Sequence, residues 1–314
     1  MAQRLQALVR HLSPSPCVGT GVEWPSEAVI YLNGNWVPDR EAVISIHDPS
    51  FVYGFGCFDT TRTYNGKLNP DGVNMHIDRF FQSIKLLNLK SPLAKKEWCH
   101  VMEEMVQKNQ HMLPRWGGDF WCYVRITPGI NGKTTTICEP VKIPFKERAK
   151  KFKHGITMAS VATRRIPPEC IPARAKLHSY VNNILADMEA SANDGDALAL
   201  MQDTKGNIAE GSTYNFFLVK NGKIFTPQEQ FALAGVSRAS IFQLATQLSI
   251  PCEERDLDMY DVYNADEAFL TSTSLCMCPI KKVNGRLIGE EGILWGPVSA
   301  QLRDAYKKMV GLDF

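Results

Sequence analysis

The chain has 314 residues, 44% hydrophobic and 22% charged, the profile of an ordinary globular protein long enough for two domains or one large one. Its 35 basic and 33 acidic residues nearly cancel, which argues against a broad electrostatic surface for nucleic acid and makes a small-molecule site the expectation. No apolar run reaches the length of a membrane span, so no membrane partner is expected either.

In chain order, "MAQRLQALVRHL" first puts Leu5, Leu8, Val9 and Leu12 at helical spacing beside Arg4 and Arg10. With two arginines and no serine before Ser13 it is a poor targeting signal, so a helix docked on the domain is expected. Asn-Gly then recurs between apolar runs, at Asn33-Gly34, Asn65-Gly66, Asn221-Gly222 and Asn284-Gly285. Both residues tolerate the positive φ of a type I′ turn, so each pair predicts a hairpin and both halves should contain antiparallel sheet.

The stretches "HIDRFFQSIKLL", "KEWCHVMEEMVQKN", "YVNNILADMEASA", "SRASIFQLATQLS" and "WGPVSAQLRDAYKKMV" predict helices. Phe80, Ile84 and Leu87, then Phe242, Ala245 and Leu248, are spaced to face a core. "CEPVKIPFKERAKKFKHG" reads as a connector with a solvated basic face. The expected organisation is α+β: a small domain over 1–141 with an N-terminal helical extension, a linker over 142–154 and a larger domain over 155–314. The cysteines (Cys17, Cys57, Cys99, Cys122, Cys138, Cys170, Cys252, Cys276, Cys278) contain no C-x-x-C pair and read as reduced cytoplasmic thiols. Cys276 and Cys278 lie two apart on a predicted strand without a nearby histidine, so packing rather than metal binding is expected.

Some residues carry possible chemistry. Lys176, in "ARAKLHSYVNNILADMEA", sits before a predicted helix, where a solvated charge is the ordinary reading. Gly235, Val236 and Ser237 precede another helix, whose first amides suit a phosphate, although Ser237 could simply be an N-cap. Thr271 to Ser274 cluster hydroxyls at a strand end. Glu210 adjoins a strand expected to be buried, so its carboxylate needs a protonated ring nitrogen or a protein cation as partner. Arg62 and Arg79 could grip phosphate or carboxylate oxygens, or form salt bridges. A phosphate cradle, an acid for a ring nitrogen and a lysine for an aldehyde are together what pyridoxal 5'-phosphate requires.

The motifs "YGFGCFDTTR", "HIDRF", "AKLHSYVNN", "AEGSTYNFFLVKNGKIFTP", "LAGVSR" and "ADEAFLTSTS" occur in an order that resembles the class IV, fold-type IV pyridoxal-phosphate aminotransferases. That group includes branched-chain and D-amino-acid aminotransferases, (R)-amine transaminases and aminodeoxychorismate lyase. The resemblance runs from "VIYLNGNWVP" to "LWGPVSAQLRDAY", nearly the whole chain after the N-terminal extension. It implies a two-domain α+β enzyme with its site between the domains, a homodimer, and an amino donor and 2-oxo acid acceptor as substrates.

By the same resemblance Lys176 matches the lysine that carries the cofactor, and Glu210 the acid on the pyridine nitrogen. Arg79, Val236, Ser237, Thr273 and Ser274 match phosphate binders, and Leu233 the residue packed against the ring. Tyr53, Phe58, Thr60, Tyr123 and Arg125 match substrate-pocket positions. Tyr180 follows Lys176 by four residues, where branched-chain enzymes usually have the tyrosine at five. Thr60 resembles the (R)-amine branch, Tyr123 and Arg125 the branched-chain strand, and "TPGINGKTTT" lacks the arginine many (R)-selective members carry, so substrate choice stays open. A pyruvate-eliminating lyase on the same site is the enzyme alternative. An interaction protein on a borrowed fold is the non-enzyme one, disfavoured by the intact set of Lys176, Glu210 and Arg79.

Overall fold

The computed structural model describes residues 26–291 and 293–312. The helix expected over residues 5–12 and Cys17 lie outside the described residues.

Strands β1 (Val29–Leu32), β2 (Asn35–Pro38), β3 (Cys57–Tyr64), β4 (Lys67–Leu68), β5 (Phe120–Ile130) and β6 (Lys133–Lys142) form an antiparallel sheet in the order β2-β1-β6-β5-β3-β4. The expected Asn33-Gly34 and Asn65-Gly66 turns close β1–β2 and β3–β4, both asparagines lying at positive φ. Asn131-Gly132 makes a further turn of this kind between β5 and β6, hidden in the sequence by the irregular "TPG" before it. There the register shifts, and Gly129 takes φ 64° with Lys133 O only 1.8 Å from where a Cβ would stand. Only glycine fits that bulge.

Helices α1 (Pro49–Tyr53), α2 (Pro70–Leu86), α3 (Lys95–Lys108) and α4 (Leu113–Trp116) accompany this sheet. On α2, Asn69 caps the first turn and Pro70 opens it, while Val73, Ile77, Phe80 and Ile84 form the apolar stripe. They pack with Trp98, Met102 and Met105 of α3 against Cys57, Cys122 and Val124 of the sheet, and Leu87 joins the margin of that core.

Helix α5 (Phe145–His154) replaces most of the expected linker. Its basic run is not wholly solvated: Arg148 is buried with its guanidinium carbon 5.8 Å from the Trp121 ring centroid, while Lys153 and His154 stay exposed in the last turn, where cations suit the helix dipole.

The remaining strands are β7 (Ile156–Ser160), β8 (Leu198–Gln202), β9 (Ile208–Gly211), β10 (Asn215–Lys220), β11 (Lys223–Thr226), β12 (Cys252–Glu254), β13 (Glu267–Ser272), β14 (Cys276–Val283) and β15 (Arg286–Leu287). They form a second sheet in the order β12-β11-β10-β13-β14-β7-β8-β9, with β15 on β14. The Asn221-Gly222 and Asn284-Gly285 hairpins are present, but β11–β12, β14–β7 and β7–β8 pair in parallel, so the sheet is mixed. Parallel neighbours need crossovers, and α6 (Val181–Asn193) supplies one between β7 and β8. Its Ala186 and Ala190 lie against Ala159, Ala197 and Ala199, small residues that bring helix and sheet close.

On this sheet also pack α7 (Val236–Gln247), α8 (Met259–Tyr263) and α9 (Pro297–Val310). Phe217 and Phe269 stack at 5.0 Å between ring centroids, beneath Ile241, Leu244, Leu302 and Tyr306. Of the stripe expected on α7, Ala245 is buried and Phe242 packs at the margin, but Leu248 is exposed because the helix ends at Gln247.

Asp187 on α6 is largely enclosed, and burial pushes its carboxyl up to about 6 from 3.8, outweighing the hydrogen bonds from Ser212 and the Ala199 amide that pull it down. The protonated form therefore favours the fold: this contribution is full below pH 3.8 and is lost as pH rises through about 6. Asp187→Asn is expected to unfold at higher urea than the wild type at pH 8, by up to about 2 kcal/mol, with the gap closing near pH 4. A gap independent of pH would remove Asp187 as its origin.

Candidate active site

A cleft opens between the two sheets. One wall comes from β3, α2 and β5 (Phe58, Thr60, Arg79, Trp121, Tyr123), and the other from the larger sheet and its loops (Lys176, Tyr180, Glu210, Leu233, Val236, Ser237, Thr273, Ser274).

Lys176 is not a solvated charge. Its segment runs along the start of β3: Phe58 N–H donates to Lys176 O (3.1 Å), His178 N–H to Gly56 O (2.9 Å), and Ser83 Oγ accepts from Lys176 N–H (3.0 Å). A Cβ at Gly56 would stand 2.7 Å from His178 Nδ1 and 3.0 Å from Ile126 O, so the missing side chain admits this segment. The ammonium donates to Tyr180 Oη at 3.0 Å and lies 4.5 Å from the Phe58 ring centroid.

Glu210, at the end of β9, is buried. Oε1 accepts from Arg165 Nε (2.8 Å), while Oε2 accepts from Leu233 N–H (2.9 Å) and Asn215 Nδ2 (3.4 Å). The protein-cation partner is thus Arg165, which also lines the cleft. Sequence reasoning missed it because nothing local in "TRRIPPECIP" marks which of two arginines turns inward.

Arg79 meets Asp59 through two bonds of 2.8 Å, from Nε to Oδ2 and from Nη2 to Oδ1. Its Nη1 donates to Ala234 O at 2.8 Å, on the turn before α7. Asp59 is fully buried and also meets His76 Nδ1 at 2.7 Å. Burial alone would raise its carboxyl, but Arg79 and His76 outweigh that and hold it well below the usual carboxylate range. Asp59 was legible only as one acid on an otherwise buried strand.

The helix-start expectation is refined. Gly235 is the N-cap of α7 and supplies no side-chain acceptor, so Ser237 is not the cap but the second helical residue. A Cβ at Gly235 would come 2.0 Å from Asn215 Oδ1, so glycine is required for this close approach. Opposite, Thr273 Oγ1 donates to Thr60 O (3.2 Å), and Arg62 Nη1 donates to Ser274 O (3.3 Å). Arg62 does not line the cleft. It pairs with Asp119 and ties the hydroxyl turn to β3.

Two expected pocket residues do not line the cleft within this chain. Tyr53 is 79% exposed on α1, and Arg125 follows Tyr123 on the same strand face beyond the edge of the cleft, its guanidinium carbon 4.7 Å from the Tyr123 ring centroid and its Nε on Glu139 Oε1 at 2.7 Å. Trp121, two residues before Tyr123 on the same strand face, is a lining residue that sequence reasoning passed over.

Pyridoxal phosphate needs an anion site, an acid and a lysine in one cleft, and these residues fit it. The uncapped helix start beside Arg79 is cationic. Thr60 Oγ1, Thr213 Oγ1 and Thr271 Oγ1, all from lining residues, are buried hydroxyls without a hydrogen-bond partner among the described residues. Such groups signal a polar occupant.

Comparison with known proteins agrees. Residues 56–283 match the family described as amino-transferase class IV, and the chain belongs to that family. A Methanocaldococcus jannaschii protein, provisionally named a branched-chain-amino-acid aminotransferase, is 32% identical over 286 residues, 88% of this chain and 95% of that one. A D-alanine aminotransferase of Staphylococcus haemolyticus is 27% identical, covering 90% of this chain and 97% of its own. The T.th. branched-chain amino acid aminotransferase, solved with N-(5'-phosphopyridoxyl)-L-glutamate, superposes with a TM-score of 0.79 at 27% identity, over 91% of this chain and 94% of that one. The fold is thus the fold-type IV architecture, and the protein is a pyridoxal-phosphate-dependent aminotransferase; the lyase reading is not favoured. No described helix is long and apolar enough to cross a membrane.

Removing one partner of a buried ion pair leaves the other charge desolvated. Arg165→Gln is expected to lower the stability of the cofactor-free protein by about 2 kcal/mol, and adding Glu210→Gln should restore much of it. Strictly additive urea-unfolding losses would show that the pair is not coupled.

Proposed function

We propose that the chain moves amino groups between an apolar amino acid and a 2-oxo acid, as a branched-chain type of aminotransferase. The observation that carries this reading is the single cleft that joins Lys176, Glu210 and the Arg79 anion site to a substrate wall of Phe58, Trp121 and Tyr123. That aromatic wall suits an apolar side chain. When bound, pyridoxal phosphate supplies an electron sink for the pair left at the substrate's amino carbon.

Lys176 holds the cofactor aldehyde and, once released, carries the proton at the amino carbon, with the Tyr180 phenol 3.0 Å from its Nζ fixing its direction. Glu210, oriented by Arg165 and Asn215, keeps a proton on the ring nitrogen. Leu233 packs on the ring, while Arg79, Val236, Ser237, Thr273 and Ser274 hold the phosphate. Thr60 and Arg125 complete the substrate side, Arg125 as a cation for a carboxylate when Glu139 yields it.

We further propose a homodimer. Exposed Val43, Ile46, Phe51, Val52 and Tyr53 crowd one short segment, and covering it with a second copy would bring Tyr53 to a neighbouring pocket. The proposed organisation keeps a first domain to residue 141, a junction over 142–154 and a cofactor-binding domain over 155–314. Free thiols at all eight cysteines among the described residues support a cytoplasmic setting.

L-Leucine, D-alanine and (R)-1-phenylethylamine added separately to the yellow holoenzyme should distinguish the branches. Bleaching by L-leucine is expected; bleaching by D-alanine or the amine alone would overturn the branched-chain assignment. Lys176→Ala is expected to lose the band of the covalently held cofactor and at least a thousandfold of kcat. Phe51→Asp with Tyr53→Asp should elute as a monomer with much reduced activity, whereas an unchanged elution volume would place the interface elsewhere.

A further inference from the structure

We propose that Tyr306, on the C-terminal helix, is a positioning residue that aims the Ser237 hydroxyl at the cofactor phosphate. This rests on the functional reading above and extends it to a residue far from the cleft in sequence.

Tyr306 is buried among Phe217, Ile241, Leu244 and Leu302, and its phenol donates to Ser237 Oγ at 3.1 Å. Ser237 lies in the first turn of α7 and lines the cleft. A helical serine ordinarily donates back to the carbonyl three or four residues earlier, as Ser240 does to Val236 O at 3.2 Å. For Ser237 those carbonyls belong to Ala234 and Leu233. Arg79 Nη1 donates to the first at 2.8 Å, and Asn215 Nδ2 to the second at 2.9 Å.

Ser237 thus accepts a hydrogen bond from below, and each of its two customary acceptors already takes a hydrogen bond from another side chain. Its own hydrogen is left to point into the cleft, beside the uncapped amides of the same turn. A phosphate oxygen there receives one more oriented donor. The order Tyr306 to Ser237 to phosphate has every hydrogen pointing toward the negative charge, and such aligned chains polarise one another favourably. Without the phenol, Ser237 can turn its hydrogen away and offer a lone pair to the phosphate instead.

The test is equilibrium binding of pyridoxal phosphate and of pyridoxal, which lacks the phosphate, to Tyr306→Phe, Ser237→Ala and the double variant, read by absorbance. Tyr306→Phe keeps the ring that fills the core. It is expected to weaken pyridoxal phosphate about tenfold and leave pyridoxal unchanged, and the double variant should be no weaker than Ser237→Ala alone. Equal weakening of both ligands, additive losses, or no loss would each overturn the proposal. A wild type that binds the two ligands equally would instead refute the phosphate site itself, and the proposal with it.

Discussion

A carboxylate with no access to water organises the front of this molecule. Asp59 sits in the middle of β3 at 0% exposure, where an unpaired charge would be prohibitive, and the fold answers with Arg79 and His76 from α2. Two of the three guanidinium nitrogens are spent on Asp59, and the third reaches the carbonyl of Ala234, in the other half of the chain. One pair therefore fixes α2 against the small sheet and fixes the α7 turn against both. The positive charge at the anion site is there because a neighbouring negative charge holds it.

The division of labour between the walls follows from strand geometry. On β3 and β5, Phe58, Thr60, Trp121 and Tyr123 point to one face at two-residue spacing, giving the substrate side a stiff, register-locked surface. The cofactor side is built from ends of elements: the end of β9, the start of α7, and the turn between β13 and β14. Strand ends and helix starts expose backbone amides and short hydroxyls, which phosphate and ring nitrogen require. Two backbone carbonyls, Thr60 O and Ser274 O, receive Thr273 Oγ1 and Arg62 across the divide and keep the walls in contact.

Much of this was legible in the sequence where the signal is local. Asn-Gly turns declared hairpins, three- and four-residue spacing declared α2 and α7, and the family resemblance carried by the motif order brought Lys176, Glu210 and Arg79 together. Contacts between distant segments were not legible. Arg165 and Arg164 are indistinguishable until Glu210 is placed, the parallel pairing of β7 with β14 joins strands more than a hundred residues apart, and the Tyr306 phenol meets Ser237 from a helix whose stripe reads only as core. Tyr53 shows the opposite limit: its motif position was clear, but its direction is set by α1, which turns it outward.

The close approach at Gly56 has a consequence for how this protein can vary. The imidazole of His178 fills the room that a Cβ at position 56 would need, so residue 56 cannot grow while residue 178 keeps its size. Two residues more than a hundred positions apart are bound into one heritable unit, and the reactive lysine lies two residues from one member of it. Drift in the substrate pocket is free to proceed strand by strand, but any lineage that enlarges residue 56 must first shrink residue 178 or let the Lys176 segment lift from β3.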